Sequence, residues 1–375
     1  MTKAAELAKM GEVLTNSQIG GRRNIIINGA MQVAQRATSV TGLGDGDEGY
    51  VAQDRWRHTV AAGAGRYTAT QTAITDLPGF ANCFKMACTT ADTSIAATER
   101  FMFVQRIEGQ NLQQLKKGTS DAEKVTVSFY VKGHDSATYV CALYDVDNDR
   151  FVGATFPVTT SWARQTITFP ADTTGALGDD NTNDLELRFI LHAGSNFTSG
   201  TLATAWESAT AANFAVGINS IFESTSATFF LTGVQMEVGS VATPFEHRSY
   251  GEELQLCRRY FWAMVPVGEA TGAAGDGGQY VMGSGYYLGT GQVELPLVFN
   301  QEMRAAPTLE VSSGTNHFVI EAAGGNDYFN TWAIFAAKKQ SALLYGTSNV
   351  SGTAGQSGRV VASSTSSYVY WSAEL

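Results

Sequence analysis

The residues of this chain that could do chemistry are carboxylates in turns and aromatic rings near glycine. In DVDND, Asp145, Asp147 and Asp149 stand at positions 1, 3 and 5, the spacing with which a calcium-binding loop begins. The sixth position is Arg150 where such a loop needs glycine, and no glutamate occupies the twelfth. Asp179, Asp180 and Asp184 form a second acidic cluster. Carboxylates in such stretches shape turns by bonding their own backbone, so turn geometry is the leading reading and a structural Ca²⁺ the minor one. No cofactor is expected. The five histidines, His58, His134, His192, His247 and His317, stand far apart. No nucleophile elbow, phosphate loop, zinc-protease helix or paired-cysteine motif accompanies them. The expectation is a protein that is not an enzyme.

Aromatic rings are the other candidates, because a flat ring stacks on the apolar face of a sugar while polar neighbours bind its hydroxyls. Trp206 lies in the polar stretch TLATAWESAT, and Tyr286, Tyr287, Tyr328 and Trp332 sit near glycine-rich turns. These five are the candidate ligand contacts. Trp56 and Trp162 instead read as core or edge anchors.

Composition bounds the partners. Of 375 residues, 44% are hydrophobic and only 16% charged, with 39 glycines and a formal charge of −10. Soluble domains usually carry about 25% charged residues. The negative balance opposes nucleic-acid binding, which needs a basic face. No run reaches the ~18 apolar residues of a membrane span, and no apolar leader opens the chain. Cys83, Cys88, Cys141 and Cys257 lack metal spacing and read as buried thiols.

The elements that must position these side chains are mostly strands. Residues 1–22 form an N-terminal arm in which Leu7, Met10 and Leu14 recur at helical spacing, giving an apolar stripe for attachment or oligomer contacts. Residues 23–247 carry many short runs such as RFMFVQRIE, KVTVSFYVKG, DLELRFILHAG, NFAVGINSIFE and ATFFLTGVQMEVG. In KVTVSFYVKG, Val125, Val127, Phe129 and Val131 alternate with Thr126, Ser128 and Tyr130. Alternation with turn punctuation predicts an antiparallel jelly-roll β-sandwich. NIIINGAMQVAQR is read as an opening strand with a turn at Asn28-Gly29. Pro244 ends strand pairing, and Leu254, Cys257, Arg258 and Phe261 predict a helical linker over 248–262. Residues 263–375 read as a second, C-terminal β-sandwich. The fold class expected is therefore mainly β: two antiparallel sandwiches joined by a short helical strut.

Several of these stretches, NIIINGAMQVAQR, YVAQDRWR, FVQRIEGQNLQQL with KVTVSFYVKG, and GVQMEVGSVATPFEHRSYGEELQLCRRYF, resemble a recurring set of bacteriophage virion proteins. That set includes tail-fibre and related proteins of marine phages. The resemblance runs over most of the chain from about Asn24, with EMRAAPTLEVSSG and the terminal SAEL also similar. It implies a central region like the jelly rolls of carbohydrate-binding modules. It also implies a homotrimeric appendage that docks to other virion proteins by its N-terminus and presents its outer domains to a host-surface glycan or receptor. The expected location is the virion, after synthesis in a host cytoplasm. The alternative is a purely structural fibre, decoration or adaptor protein with no receptor.

Overall fold

The computed structural model describes residues 3–4, 22–61, 63–270 and 277–375, so Leu7, Met10 and Leu14 lie outside the described residues. The chain divides into two compact units, residues 1–253 with Leu375 and residues 254–374. Both are mainly antiparallel β with few helices.

In the first unit, β1 (Ser39–Leu43), β4 (Arg66–Ala73), β5 (Asn82–Thr90), β13 (Thr228–Val238), β7 (Val125–Gly133) and β10 (Ala163–Phe169) form one six-stranded sheet in that order. A seven-stranded sheet runs β12 (Glu207–Ser208), β9 (Arg150–Val158), β8 (Ala137–Asp145), β11 (Asn183–Ala193), β6 (Arg100–Glu108), β3 (Arg57–Ala61) and β2 (Gly49–Tyr50). The period of two aims one set of side chains from each sheet at a shared core. Val127, Phe129 and Val131 of β7 are fully buried there with Phe101 and Phe103 of β6 and Leu187 and Phe189 of β11. Trp56 stacks on Phe103 at 4.8 Å between ring centroids, and Phe84 stacks on the same ring at 4.1 Å.

The segment NIIING is not a strand, contrary to its β-branched composition. Its backbone groups pair chiefly with side chains from distant parts of the chain. Glu246 Oε2 accepts from the N–H groups of Arg23 and Asn24 at 2.7 Å each. Gln105 exchanges two bonds of 2.8 Å with Ile27. Glu253 accepts from Asn28 N at 2.5 Å, and Arg248 donates to the carbonyls of Ile26 and Asn24. Asn28 sits at φ 58°, a left-handed conformation that asparagine tolerates better than most residues. The stretch around Pro244 therefore anchors the N-terminal segment as well as ending β13. Phe245 packs on Phe80 at 5.1 Å.

Gly233 in β13 has φ 61° where the register with β7 slips between Thr232 and Gln235. A Cβ there would approach the Phe80 ring to 2.7 Å. This bulge thus depends on glycine twice over, through its dihedral and through the ring above it.

NFAVGINSIFE also departs from expectation, running as irregular chain from the end of a 3₁₀ turn (Ala211–Asn213). A short helix, α1 (Ser195–Thr198), follows β11. The helical pattern predicted through Phe261 is shorter: α2 (Tyr250–Arg258) ends before Phe261 begins the strand β14 (Phe261–Val265). The aromatic run Tyr260-Phe261-Trp262 favours a pleated, packed surface over a helical one.

In the second unit, β14, β23 (Val369–Ser372) and β17 (Thr308–Val311) form a three-stranded sheet. A seven-stranded sheet runs β19 (Gly325–Phe329), β18 (Phe318–Ala322), β22 (Ser357–Ala362), β15 (Tyr280–Gly289), β16 (Gln292–Val298), β21 (Ser341–Gly346) and β20 (Ala333–Ala337). Their core includes Val293, Leu295, Phe318, Phe329, Trp332, Leu344 and Trp371.

Candidate functional site

The outer face of the first unit's seven-stranded sheet is built by register. In β6 the core takes Phe101, Phe103, Gln105 and Ile107, so Arg100, Met102, Val104 and Arg106 point the other way. The antiparallel pairing sets Glu186, Arg188 and Ile190 of β11 opposite Arg106, Val104 and Met102. On the far side of β11, Tyr144 and Ala142 of β8 stand opposite Glu186 and Arg188. On the other side of β6, Arg57 and Thr59 of β3 face Val104 and Met102. The sequence thereby gathers guanidinium groups, carboxylates and a tyrosine on one surface.

Chain 194–219 closes one side of this surface. Phe214 stacks on Phe151 at 4.4 Å, and Ala203 and Ala215 bury against Met102, Val140 and Ile190. Backbone bonds from Gly153 N to Ala203 O (2.7 Å) and from Ala215 N to Phe197 O (2.9 Å) hold the segment in place. An open cleft of about 410 Å³ remains, lined by Arg57, Arg100, Arg106 and Arg188, by Glu48 and Glu186, and by Tyr144, Phe197 and Phe214, among others.

Its charges are ordered in pairs. Glu186 accepts from Arg106 Nε at 3.0 Å and from Arg188 Nε at 2.7 Å. Burial pushes the Glu186 carboxyl up, but the two guanidinium groups and bonds from Arg188 and Asn183 outweigh it and hold the pKa below the ordinary value. Glu186 is therefore an acceptor and a charge, not a proton donor. Arg188 Cζ lies over the Tyr144 ring, 3.8 Å from its centroid, a cation–π contact. Tyr144 in turn donates to Asp149 Oδ1 at 2.6 Å, and burial with that bond raises its pKa to about 12. Arg57 bonds Glu48 at 3.1 Å, and Arg106 also donates to the carbonyl oxygen of Leu375 at 2.7 Å. Arg100 differs: its guanidinium lies 5.4 Å from the Phe197 ring centroid, and its buried Nε has no hydrogen-bond partner.

None of the five sequence-selected aromatics lines this cleft. Trp206 is half-buried against the core, with Nε1 bonded to Pro170 O at 2.9 Å and Lys117 over its ring at 4.9 Å. Tyr286, on β15, is half-buried and donates to Glu294 at 2.5 Å. Tyr287 and Trp332 are buried in the core of the second unit, Tyr287 with its hydroxyl on Asp327 at 2.9 Å. Tyr328 sits half-buried on β19, opposite Val319. The acidic run does not converge either. Asp145 is fully buried on Lys117, Asp147 accepts from Gly178 N at 3.3 Å, and Asp149 takes the Tyr144 hydroxyl. Among the described residues, no group of three His, Cys, Asp or Glu side chains is placed to hold a metal ion.

The cleft residues were visible in the sequence in one respect. Arg100 and Arg106 are six apart on a strand, an even spacing that puts both on one face, with Met102 and Val104 between them. Glu186 and Arg188 repeat the parity. Which strands would be neighbours was not written in the runs themselves.

No protein-family model matches this chain, and no curated protein sequence matches it. Among solved structures it is similar to the enzymatically active domain of bacteriophage CBA120 tailspike protein 4, at 11% identity and TM-score 0.30 over 57% of this chain and 21% of that one. It is similar also to TmCBM61 in complex with β-1,4-galactotriose, at 8% identity and TM-score 0.31 over 58% of this chain and 99% of the other. A third is the family 11 carbohydrate-binding module from Clostridium thermocellum in complex with a β-1,3-1,4-mixed-linked tetrasaccharide, at 12% identity and TM-score 0.27 over 55% and 99%. At these identities the likeness concerns the fold alone.

Proposed function

We propose that this chain is a non-enzymatic appendage protein of a phage particle that binds a surface glycan in the cleft of its first unit. The observation that carries the binding reading is the cleft itself. Tyr144, Phe197 and Phe214 line it, each with one ring face already covered by Arg188, Arg100 or Phe151, beside donors and acceptors on four arginines and two glutamates. Sugar recognition needs this mixture of flat apolar contact and oriented hydrogen bonds. A binding role fits better than cleavage, because Glu186 and Glu48 are each committed to guanidinium groups and neither is set up as a general acid. The virion setting rests on the sequence resemblance. With it come N-terminal docking to other virion proteins, a homotrimeric state, and the second unit as the outward tip. Several weak sites per particle would multiply affinity by about 10²–10⁴.

A titration of the full chain against host-surface polysaccharides, by calorimetry and by adsorption to intact cells, tests this. Tyr144→Ala removes a ring worth about 1 kcal/mol in contact energy and is expected to weaken glycan binding several-fold. An unchanged affinity would remove the cleft from consideration. A reducing-sugar assay on the same polysaccharides is expected to release no product.

One observation favours the structural alternative. On the second unit Leu288, Val298 and Phe335 stand 59%, 79% and 68% exposed, apolar surface that subunit contacts would consume. Sedimentation of the full chain, with and without Phe335→Ser, separates assembly from adhesion: assembly lost with binding retained would assign this surface to subunit packing.

A further inference from the structure

Resting on the glycan reading above, we propose that the ligand of the cleft is an acidic saccharide, bearing a carboxylate or a sulfate, and that Arg100 receives the anionic group. The chain as a whole carries 35 acidic against 25 basic residues, yet the cleft is lined by four arginines and two glutamates. The site thus reverses the sign of the protein around it. Its two carboxylates are already spent: Glu48 on Arg57, and Glu186 on Arg106 and Arg188 together. Asp149, at the Tyr144 edge, is held by the tyrosine hydroxyl.

Arg100 is left over. Among the described residues no ion pair or side-chain hydrogen bond engages it, and its Nε is buried without an acceptor. Its buried Nε is out of reach of a ligand, but its terminal N–H groups are not among the buried unpartnered atoms, and a guanidinium that lines the cleft without a carboxylate partner is free to donate two of them to one anion. A neutral sugar hydroxyl would satisfy one donor and leave the charge. Phe197 lies beneath the guanidinium, 5.4 Å from Cζ to the ring centroid, an apolar platform that leaves the charge itself without an anionic partner. Arg100 and Arg106 are six residues apart on β6, roughly 20 Å at the rise of an extended strand. The cleft floor is thus long enough for an oligosaccharide that spans from the paired arginines to the unpaired one.

The experiment uses the full chain and matched pairs of polysaccharides: a polyuronate with its carboxyl-reduced form, and a sulfated galactan with its desulfated form. The expected result is binding to one anionic member at least tenfold tighter than to its neutral partner at fixed ionic strength. Which pair shows this identifies carboxylate or sulfate as the group. In Arg100→Gln the anionic-to-neutral affinity ratio is expected to fall toward one, with Arg100→Lys between, while the urea midpoint reports that the variants are folded. Equal binding to charged and neutral partners overturns the acidic-ligand inference and leaves the glycan reading standing. A preference that survives in Arg100→Gln overturns the assignment to Arg100. Binding to none of the four, together with none of the host polysaccharides, overturns both readings.

Discussion

Lys117 offers a sharp test of the physical account of the first unit. Its side chain is 5% exposed and pairs with Asp145, which is fully buried, and with Asp172 at 2.9 Å. It also donates to the carbonyls of Thr174 (3.1 Å) and Gly175 (2.8 Å). Arg150 completes a charge-balanced group by donating to both oxygens of Asp172, at 2.7 and 3.0 Å. Lys117→Met keeps the stem and deletes the charge. Asp172 retains Arg150, but Asp145 keeps only Asn148, through its N–H at 3.0 Å and its amide at 3.0–3.1 Å. Breaking a buried pair on one side costs about 3–5 kcal/mol. The loss has a ceiling, because the stranded group can protonate instead. Neutralising an ordinary carboxylate at pH 7 costs about 4 kcal/mol, at ~1.4 kcal/mol per pH unit.

The expected loss at pH 7 is therefore about 3–4 kcal/mol. It should shrink as the pH falls toward 5, where neutralising a carboxylate stripped of its cation costs less. Urea unfolding of the full chain measures the loss, and hydrogen exchange resolved by peptide places it at residues 145–149 and 172–175. Lys117→Met/Asp145→Asn removes the stranded charge while keeping an acceptor for Asn148, and should recover about half of the loss or more. A single variant that loses under about 1 kcal/mol, a pH-independent deficit, or a double variant weaker than the single would refute the reasoning.

Two further predictions concern the same unit. His58 is buried between Tyr67 and a cage of phenylalanines, and its pKa is lowered to about 3, by burial first and by Arg57 second. The unfolded chain binds the proton that the folded chain refuses, so stability should fall as the pH drops from about 6.5 toward 3, with a slope of at most ~1.4 kcal/mol per unit. His58→Phe should lessen that slope in acid urea titrations, and an unaltered slope would assign it elsewhere. Gly233→Ala meets both the positive φ and the Phe80 ring, and should cost about 1–3 kcal/mol in the urea midpoint; a neutral result would mean that the bulge relaxes freely.

Strand periodicity made the fold class legible. Val125, Val127, Phe129 and Val131 could alternate in one way only if a core lay on their side, and the core is there. Few charges and many small polar residues already spoke for sheet over helix. The same alternation put Arg100 with Arg106, and Glu186 with Arg188, on the outward faces of their strands. What periodicity could not supply was adjacency. β6 meets β11 across more than seventy residues, and only that pairing turns separate arginines into a cleft. NIIING shows the reverse limit. Its β-branched residues promised a strand, yet Glu246, Arg248 and Glu253 satisfy its backbone from over two hundred residues away. Tyr287 and Trp332 looked available beside glycine-rich turns and are core. Local sequence sets which face of a strand a side chain takes, because that is decided by backbone geometry. The tertiary structure decides what covers the face, because burial and hydrogen-bond partners come from segments the local pattern does not name.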